Sequence, residues 1–250
     1  MDIIYGRNAV KAAIRSGRSI DKLIASKELS DPSVREILTL AAQNHIPIVR
    51  ADRRKLDSMT MPFGFGGKPA NHQGVLAVAP ARDYDSIDDI FALAEKRGEA
   101  PFIILLDGIT DEGNLGSIIR SAEVLGAHGV VLGKHRSASL SAVASKASSG
   151  AADLIPIVKV TNLVATIGEL KEKNVWTVAA DPEGQPASSV DLKGSIAIVV
   201  GSEGEGISRL VLENCDFKAR IPMKGQTGSL NAAVAAAVLM YEKVRQETAP

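Results

Sequence analysis

The sequence predicts an α/β fold: a small α/β unit over residues 1–80, a linker with one helix over 81–100, and a larger parallel-sheet domain over 101–250. Three observations carry this reading. The all-apolar runs Phe102–Leu106 (FIILL) and Ile196–Val200 (IAIVV) read as strands buried on both faces, as parallel sheets require. Segments with apolar residues three and four apart alternate with such runs, the order expected of helices covering a sheet. Glycine-bearing loops follow several of these strands, where open α/β sheets hold their ligands.

Taken in order, residues 2–5 form a short strand that turns at Gly6 into a helix carrying Val10, Ala13 and Ile14. A second strand covers Asp21–Ala25. Asp31 then stands as an N-cap with Pro32 at the first helical position, ahead of an apolar stripe at Val34, Ile37, Leu38 and Ala41. Ile46–Arg50 is a third strand. Asp52 caps a short basic helix with Arg53, Arg54 and Lys55, and Met59–Gln73, rich in glycine and proline, reads as an exposed mobile loop. Val75–Ala79 closes the unit.

Residues 81–100 are acidic and then helical. Beyond the strand at Phe102–Leu106, a helix is expected from Leu115 to Leu125 and a strand at Gly129–Leu132. Small and polar residues fill Ser137–Gly150, and strands recur near Ile155–Val158, Val175–Ala179 and Ile196–Val200. The last element begins with a buried strand, Phe217–Met223, and a loop holding Gly225 and Gly228. A helix follows from Ser229, with Leu230, Val234, Val238 and Tyr241 on one face and alanines between them, and with Ser229 and Asn231 at its buried mouth.

Composition narrows the chemistry. An apolar fraction of 45% supports a full core, and no apolar run reaches bilayer length. No charged-apolar-small leader opens the sequence, so the expectation is a soluble, cytoplasmic protein with no membrane partner. A single cysteine, Cys215, excludes an intrachain disulfide, and the four histidines show no ligand spacing, so no metal is expected. Net charge is zero, yet residues 1–80 carry 12 Lys/Arg against 7 Asp/Glu while the rest carries 17 against 22. Either an anion-facing front end or solvated surface charge accounts for that asymmetry.

Three loops hold the candidate chemistry. In DGITDEGNLG (Asp107–Gly116), Asn114 is either a ligand-orienting group or a helix cap. On the following helix Arg120 points away from the apolar face made by Leu115, Ile118, Ile119 and Ala122, open to a ligand or to solvent. GSEGEG (Gly201–Gly206) offers a glycine loop for close approach of a ligand, with Glu203 inside it. Its glycines do not follow the dinucleotide fingerprint and no Gly-Lys-Ser/Thr ends any loop, which excludes a nicotinamide cofactor and a Walker site. The third loop leads into the last helix. Cys215, before an apolar strand, reads as packing.

Together these segments resemble the SpoU (TrmH) family of RNA ribose 2′-O-methyltransferases in the SPOUT superfamily. DEGNLGSIIRSAEVLG is similar to the family's first motif, Asp-Pro-x-Asn-x-Gly with an arginine four residues on. GSEGEG is similar to the second and IPMKGQTGSLNAAVAAA to the third, and KASSGA (Lys146 to Ala151) is also family-like. YGRNAVKAAIRSG and HQGVLA resemble the front domain of the rRNA-modifying members, itself similar to small ribosomal proteins that bind kinked RNA. The subgroup most resembled is the 23S rRNA guanosine-2′-O-methyltransferase, with tRNA-modifying members as relatives.

The resemblance implies a carboxyl-terminal SPOUT domain with a deep trefoil knot, an exception to unknotted chains. It implies S-adenosylmethionine as cofactor, held by Gly201, Ile221, Met223, Ser229 and Leu230, and a homodimer with the site at the subunit interface. It implies Asn114, Arg120, Glu203, Ser229 and Asn231 as catalytic residues, acting on RNA, with rRNA favoured. Arg7, Arg53, Arg54, Lys55 and Lys68 are the expected RNA contacts. Two departures stand out: Glu112-Gly113 replaces the usual Pro-His-like pair, and Ala232 and Ala233 stand where many members have Val and Ser. A non-catalytic RNA-binding or ribosome-assembly factor is the rival reading.

Overall fold

The computed structural model describes residues 2–28, 31–80, 82–226 and 228–248, in two compact units, Met1–Asp83 and Tyr84–Pro250. In the first unit four strands pair in the order β1 (Asp2–Tyr5), β4 (Val75–Ala79), β2 (Lys22–Ser26), β3 (Ile48–Ala51), with only β2 and β3 parallel. The strand period of two sorts the core. Leu23, Ala25, Val75 and Ala77 pack against α1 (Arg7–Arg15) and α2 (Pro32–Gln43), while Ile24, Leu76 and Val78 pack against Leu56 of α3 (Arg53–Thr60). Asp31 caps α2 through the Ser33 and Val34 amides, and Pro32 opens that helix. Asp52 sits at the cap position of α3 without a capping bond and pairs instead with Lys27 at 3.4 Å.

The second unit is a six-stranded sheet in which every pairing is parallel. Its order is β10 (Phe217–Arg220), β8 (Trp176–Pro186), β9 (Ile196–Gly201), β5 (Phe102–Asp107), β6 (Gly129–Gly133), β7 (Ile157–Val160). Alternation again divides the core into two layers. Phe102, Ile104, Leu106, Ile196, Ile198 and Val200 face one layer, shared with α5 (Glu112–Val124), α6 (Ala142–Ala147) and α9 (Ala232–Thr248). Ile103, Leu105, Val131, Ala197 and Val199 face the other, with α4 (Ile87–Arg97), α7 (Leu163–Glu172) and α8 (Arg209–Asn214).

The site follows from that division. Strands β5 and β9 are neighbours, yet β5 sends its helix α5 to one layer and β9 sends α8 to the other. Their carboxyl ends therefore part, and a crevice opens between the loops, as at the switch point of any open α/β sheet. Helix α9 returns to the α5 layer and is pinned at its far end. There Gln246 donates to the Val190 carbonyl at 3.0 Å and accepts from the Leu192 amide at 2.9 Å.

Several expectations are corrected at the chain's end. The last helix begins at Ala232 rather than Ser229, because the Asn231 side-chain oxygen accepts from the Ala233 and Val234 amides and caps it there. Its buried face is Ala232, Ala233, Ala236, Leu239 and Met240; Val234 (48% exposed), Val238 and Tyr241 (59%) lie open on the opposite side. Alanines line the start of that buried face, and Leu239 and Met240 fill it farther along the helix. Strand β10 ends at Arg220 and is an edge strand with only Ala219 buried. The stretch Ser137–Gly150 contains α6, and Met59–Gln73 begins inside α3 and continues as a single 3₁₀ turn, Met61–Phe63.

One buried base sets a pH limit on the second unit. His128 is 1% exposed, its Nδ1 accepting from the Phe102 amide at 3.0 Å and its Nε2 meeting Glu99 at 3.0 Å. Burial outweighs the Glu99 contact and holds the imidazole pKa below its ordinary value. Between the unfolded value near 6.5 and the lower folded value, the unfolded chain binds more protons, so stability falls as pH drops through that window. The denaturant midpoint should thus fall from about pH 7.5 to about pH 5.5, and His128→Gln should flatten that dependence. Equal pH slopes for both proteins would contradict the assignment.

Candidate active site

Each of the three loops is positioned by its own element. Asp107, the last residue of β5, accepts from the Ser208 amide at 2.7 Å and ties the first loop to the second. Asp111 caps α5 by accepting from the Asn114 amide at 2.7 Å. Asn114 is therefore in the first turn of the helix and its carboxamide is left for other work. Gly116 is where α5 and α6 cross; a Cβ there would stand 2.4 Å from the Ala144 carbonyl oxygen.

The glycine loop after β9 folds on itself. Ser202 and Gly206 exchange backbone hydrogen bonds at 3.1 and 2.9 Å, and a Cβ on Gly201 would lie 2.1 Å from the Gly206 carbonyl carbon. The turn itself thus requires Gly201, and Gly206 supplies a left-handed φ of +68°.

At the head of this turn three side chains meet. Asn231 Nδ2 donates to Asn114 Oδ1 at 2.9 Å and to Glu203 Oε1 at 2.6 Å. Asn114 Nδ2 donates to the same Glu203 oxygen at 3.2 Å, and so does the Ala232 amide at 3.2 Å. With its own oxygen capping α9, the Asn231 carboxamide has used every hydrogen-bonding group it owns. Asn114 keeps one N–H, and Glu203 keeps Oε2.

Cavities flank the junction on either side of the Ser202–Gly206 turn. One, of about 620 Å³, is lined by Gly201, Ile221, Met223, Ser229 and Leu230 together with Leu239 and Asp181. The other, of about 480 Å³, is lined by Asp107–Asp111, Asn114, Glu203 and Arg136. Ser229 lies on the first cavity, exposed, three residues ahead of α9. Arg120 is not with the others. It is exposed on α5, donating to Ser149 Oγ at 3.3 Å, and lines neither cavity.

In the first unit Arg7, Arg53 and Lys68 line one cleft, and Arg54 and Lys55 are exposed beside Arg53 on α3. The Arg7 guanidinium is engaged, donating to Asp31 at 2.6 Å and to the Gln73 carbonyl at 3.2 Å. At Cys215 burial pushes the thiol up to about 11, and the S–H donates to the Val211 carbonyl. Among the described residues no three His, Cys, Asp or Glu side chains are placed to hold a metal ion, and no helix is long and apolar enough to cross a membrane.

Sequence reasoning passed over Asp107, Asp111, Arg136 and Glu205. Arg136 follows β6 on a loop with a φ of +50° and pairs with Glu205 at 3.7 Å across the second cavity. Its only signal was the basic run Lys134–Arg136 after a strand. The two aspartates gave more: acids at a strand's end and at a helix's start have backbone amides to accept from.

Comparison with known proteins agrees with the geometry. A model of the SpoU rRNA methylase family matches residues 101–241, and one described as RNA 2′-O ribose methyltransferase substrate binding matches residues 3–85. YacO of Bacillus subtilis, named as a TrmH family tRNA/rRNA methyltransferase, is 40% identical over 246 residues, spanning 98% of this chain and 96% of YacO. The solved SpoU methyltransferase AviRb of Streptomyces viridochromogenes, in complex with AdoMet, superposes with a TM-score of 0.62 at 27% identity, covering 99% of this chain and 91% of AviRb. The A. aeolicus TrmH/SpoU tRNA modifying enzyme does so with a TM-score of 0.55 at 28% identity, covering 64% of this chain and 83% of that one. On the matched domains and the near full-length identity, this chain belongs to the SpoU rRNA methylase family.

Proposed function

We propose that this chain transfers a methyl group from S-adenosylmethionine to a ribose 2′-hydroxyl of structured RNA, a guanosine of 23S rRNA being the favoured target. The observation that carries this reading is the Asn114–Glu203–Asn231 junction standing between two cavities at the carboxyl end of the sheet. The larger cavity fits the cofactor in size and chemistry, with apolar walls at Ile221, Leu230 and Leu239 beside a turn of glycine backbone. Gly201, Ile221, Met223, Ser229 and Leu230 would hold it. When bound, it supplies an electrophilic sulfonium methyl.

The chain's own residues do the rest. A ribose hydroxyl is a weak acid, so its oxygen must be held in line and its proton masked. Asn231, fully used in the junction, positions the other two groups rather than touching substrate. Asn114 has one N–H left to orient the ribose, and Glu203 Oε2 is left to accept a hydrogen bond from the hydroxyl. A guanidinium is a poor proton acceptor in proteins, which favours an anchoring role for Arg120 over that of a base. We assign it to a bidentate grip on the adjacent phosphate, which also stabilises the developing alkoxide.

Six residues of helix, about 9 Å of rise, separate Arg120 from Asn114, and Arg120 lines neither cavity of its own chain. A second copy of the chain would supply it. Support comes from the open face beside the junction, where Ser117 and Ser121 of α5 adjoin Val234, Val238 and Tyr241 of α9. Such an apolar surface ending in the catalytic junction suits a homodimer interface. Threading of the carboxyl-terminal segment into a trefoil knot, and RNA phosphate contacts from Arg53, Arg54, Lys55 and Lys68 with Arg7 as the wall behind them, complete the reading, for an enzyme of the cytoplasm.

Radiolabelled methyl transfer to total RNA from a methylation-deficient cell, with the modified nucleotide mapped, tests the activity. Label in rRNA is expected; label in tRNA would move the target, and cofactor binding without label in any RNA would favour a non-catalytic RNA-binding factor. Arg120→Lys should lose about a hundredfold or more of the transfer rate while cofactor affinity persists, because an ammonium lacks the planar fork. Substantial retained activity would contradict the phosphate grip. Mixing inactive Arg120→Ala and Asn231→Ser proteins should restore about a quarter of wild-type activity, since each mixed dimer has one intact shared site. No restoration after subunit exchange would place both residues in one protomer's site.

A further inference from the structure

The first unit carries an exposed aromatic that its fold does not use. Two phenylalanines flank Gly64. Phe63 tucks against Tyr5, ring centroids 5.8 Å apart, whereas Phe65 is 95% exposed. Its loop is nevertheless built. The Lys68 amide donates to the Phe65 carbonyl at 3.3 Å, Gly66 and Gly67 take left-handed φ of +62° and +71°, and a Cβ on Gly64 would collide with the Lys68 carbonyl oxygen. Phe65 is thereby held at the tip of a closed turn, three residues from the Lys68 side chain that lines the adjoining cleft.

That cleft, of about 590 Å³, has fixed walls and unpaired cations. His72 is buried; its Nδ1 accepts from the Gly74 amide at 2.9 Å, which leaves Nε2 to donate to Asp57 at 3.0 Å. Arg7 is tied to Asp31 and Gln73. Arg53 and Lys68 have no ion-pair partner among the described residues and lie on the same cleft. A rigid pocket with two uncommitted cations beside an uncovered aromatic face suits one class of ligand: an anion with a flat ring attached. In duplex RNA the base faces are hidden in the stack, so only an unpaired nucleotide presents both parts.

We propose that Phe65 stacks on an unpaired base of the RNA while Arg53 and Lys68 hold the neighbouring phosphate, so that the first unit selects a looped or bulged strand over plain duplex. This rests on the RNA reading above and sharpens it. Phe65 is a positioning residue, acting on a nucleotide rather than on the reacting atoms.

The test uses the full chain and two probes, a short single-stranded RNA carrying 2-aminopurine and the same strand annealed to its complement. Wild type should bind the single strand and quench the 2-aminopurine. Phe65→Ala should abolish the quench and weaken single-strand binding by about five- to a hundredfold, with duplex binding unchanged and Phe65→Trp restoring both signals. Lys68→Ala should weaken both probes and reduce the salt slope by about one. Equal quenching by wild type and Phe65→Ala, an equal loss on duplex, or no single-strand binding by wild type would each overturn the inference. Methyl transfer to total RNA by the same preparations separates the cases. Labelling that persists leaves the enzymatic reading intact, and labelling absent from wild type takes that reading down as well.

Discussion

A single carboxylate oxygen gathers the second unit's functional loops. Glu203 Oε1, on the loop after β9, accepts from Asn114 on the segment after β5 and from Asn231 and the Ala232 amide on the segment after β10. The shortest of these contacts, 2.6 Å, comes from Asn231. The same asparagine caps α9, so the start of the last helix and the geometry of the site are one arrangement. Removing any one donor would loosen loops that are joined besides by the Asn231–Asn114 and Asp107–Ser208 bonds.

The junction has somewhere to stand because two neighbouring parallel strands send their helices to opposite layers. Two cavities result, sharing the Ser202–Gly206 turn as their partition. To that shared wall the first cavity adds Ile221, Leu230 and Leu239, and the second adds Asp107, Asp111, Asn114 and Arg136. Helix α9 packs its alanines with Leu239 and Met240 on the sheet and leaves Val234, Val238 and Tyr241 exposed.

In the first unit the same economy separates wall from reader. The side chains of Arg7 and His72 fix the cleft, whereas those of Arg53 and Lys68 form no ion pair among the described residues and Phe65 is 95% exposed. Charge counting treats Arg7 and Arg53 alike, because it records residue type and not the partner that neutralises it.

The sequence by itself determined the class of fold, the parallel sheet and the loops that hold the chemistry. Those depend on apolar periodicity and glycine placement, which are local. It also marked Asn114, Glu203 and Asn231 through motif resemblance, though not their shared hydrogen bonds. Tertiary structure decided which face of α9 is buried, since helical spacing shows that Val234, Val238 and Tyr241 share a side without showing what that side meets. It decided that Gly201 serves its own turn, that Asp111 rather than Asn114 caps α5, and that Arg120 stands apart from its motif partners. The cap and the turn are local, but several acids and glycines in these loops could fill each place and only the folded backbone selects one; the Arg120–Ser149 contact joins residues 29 apart, which a linear pattern does not record.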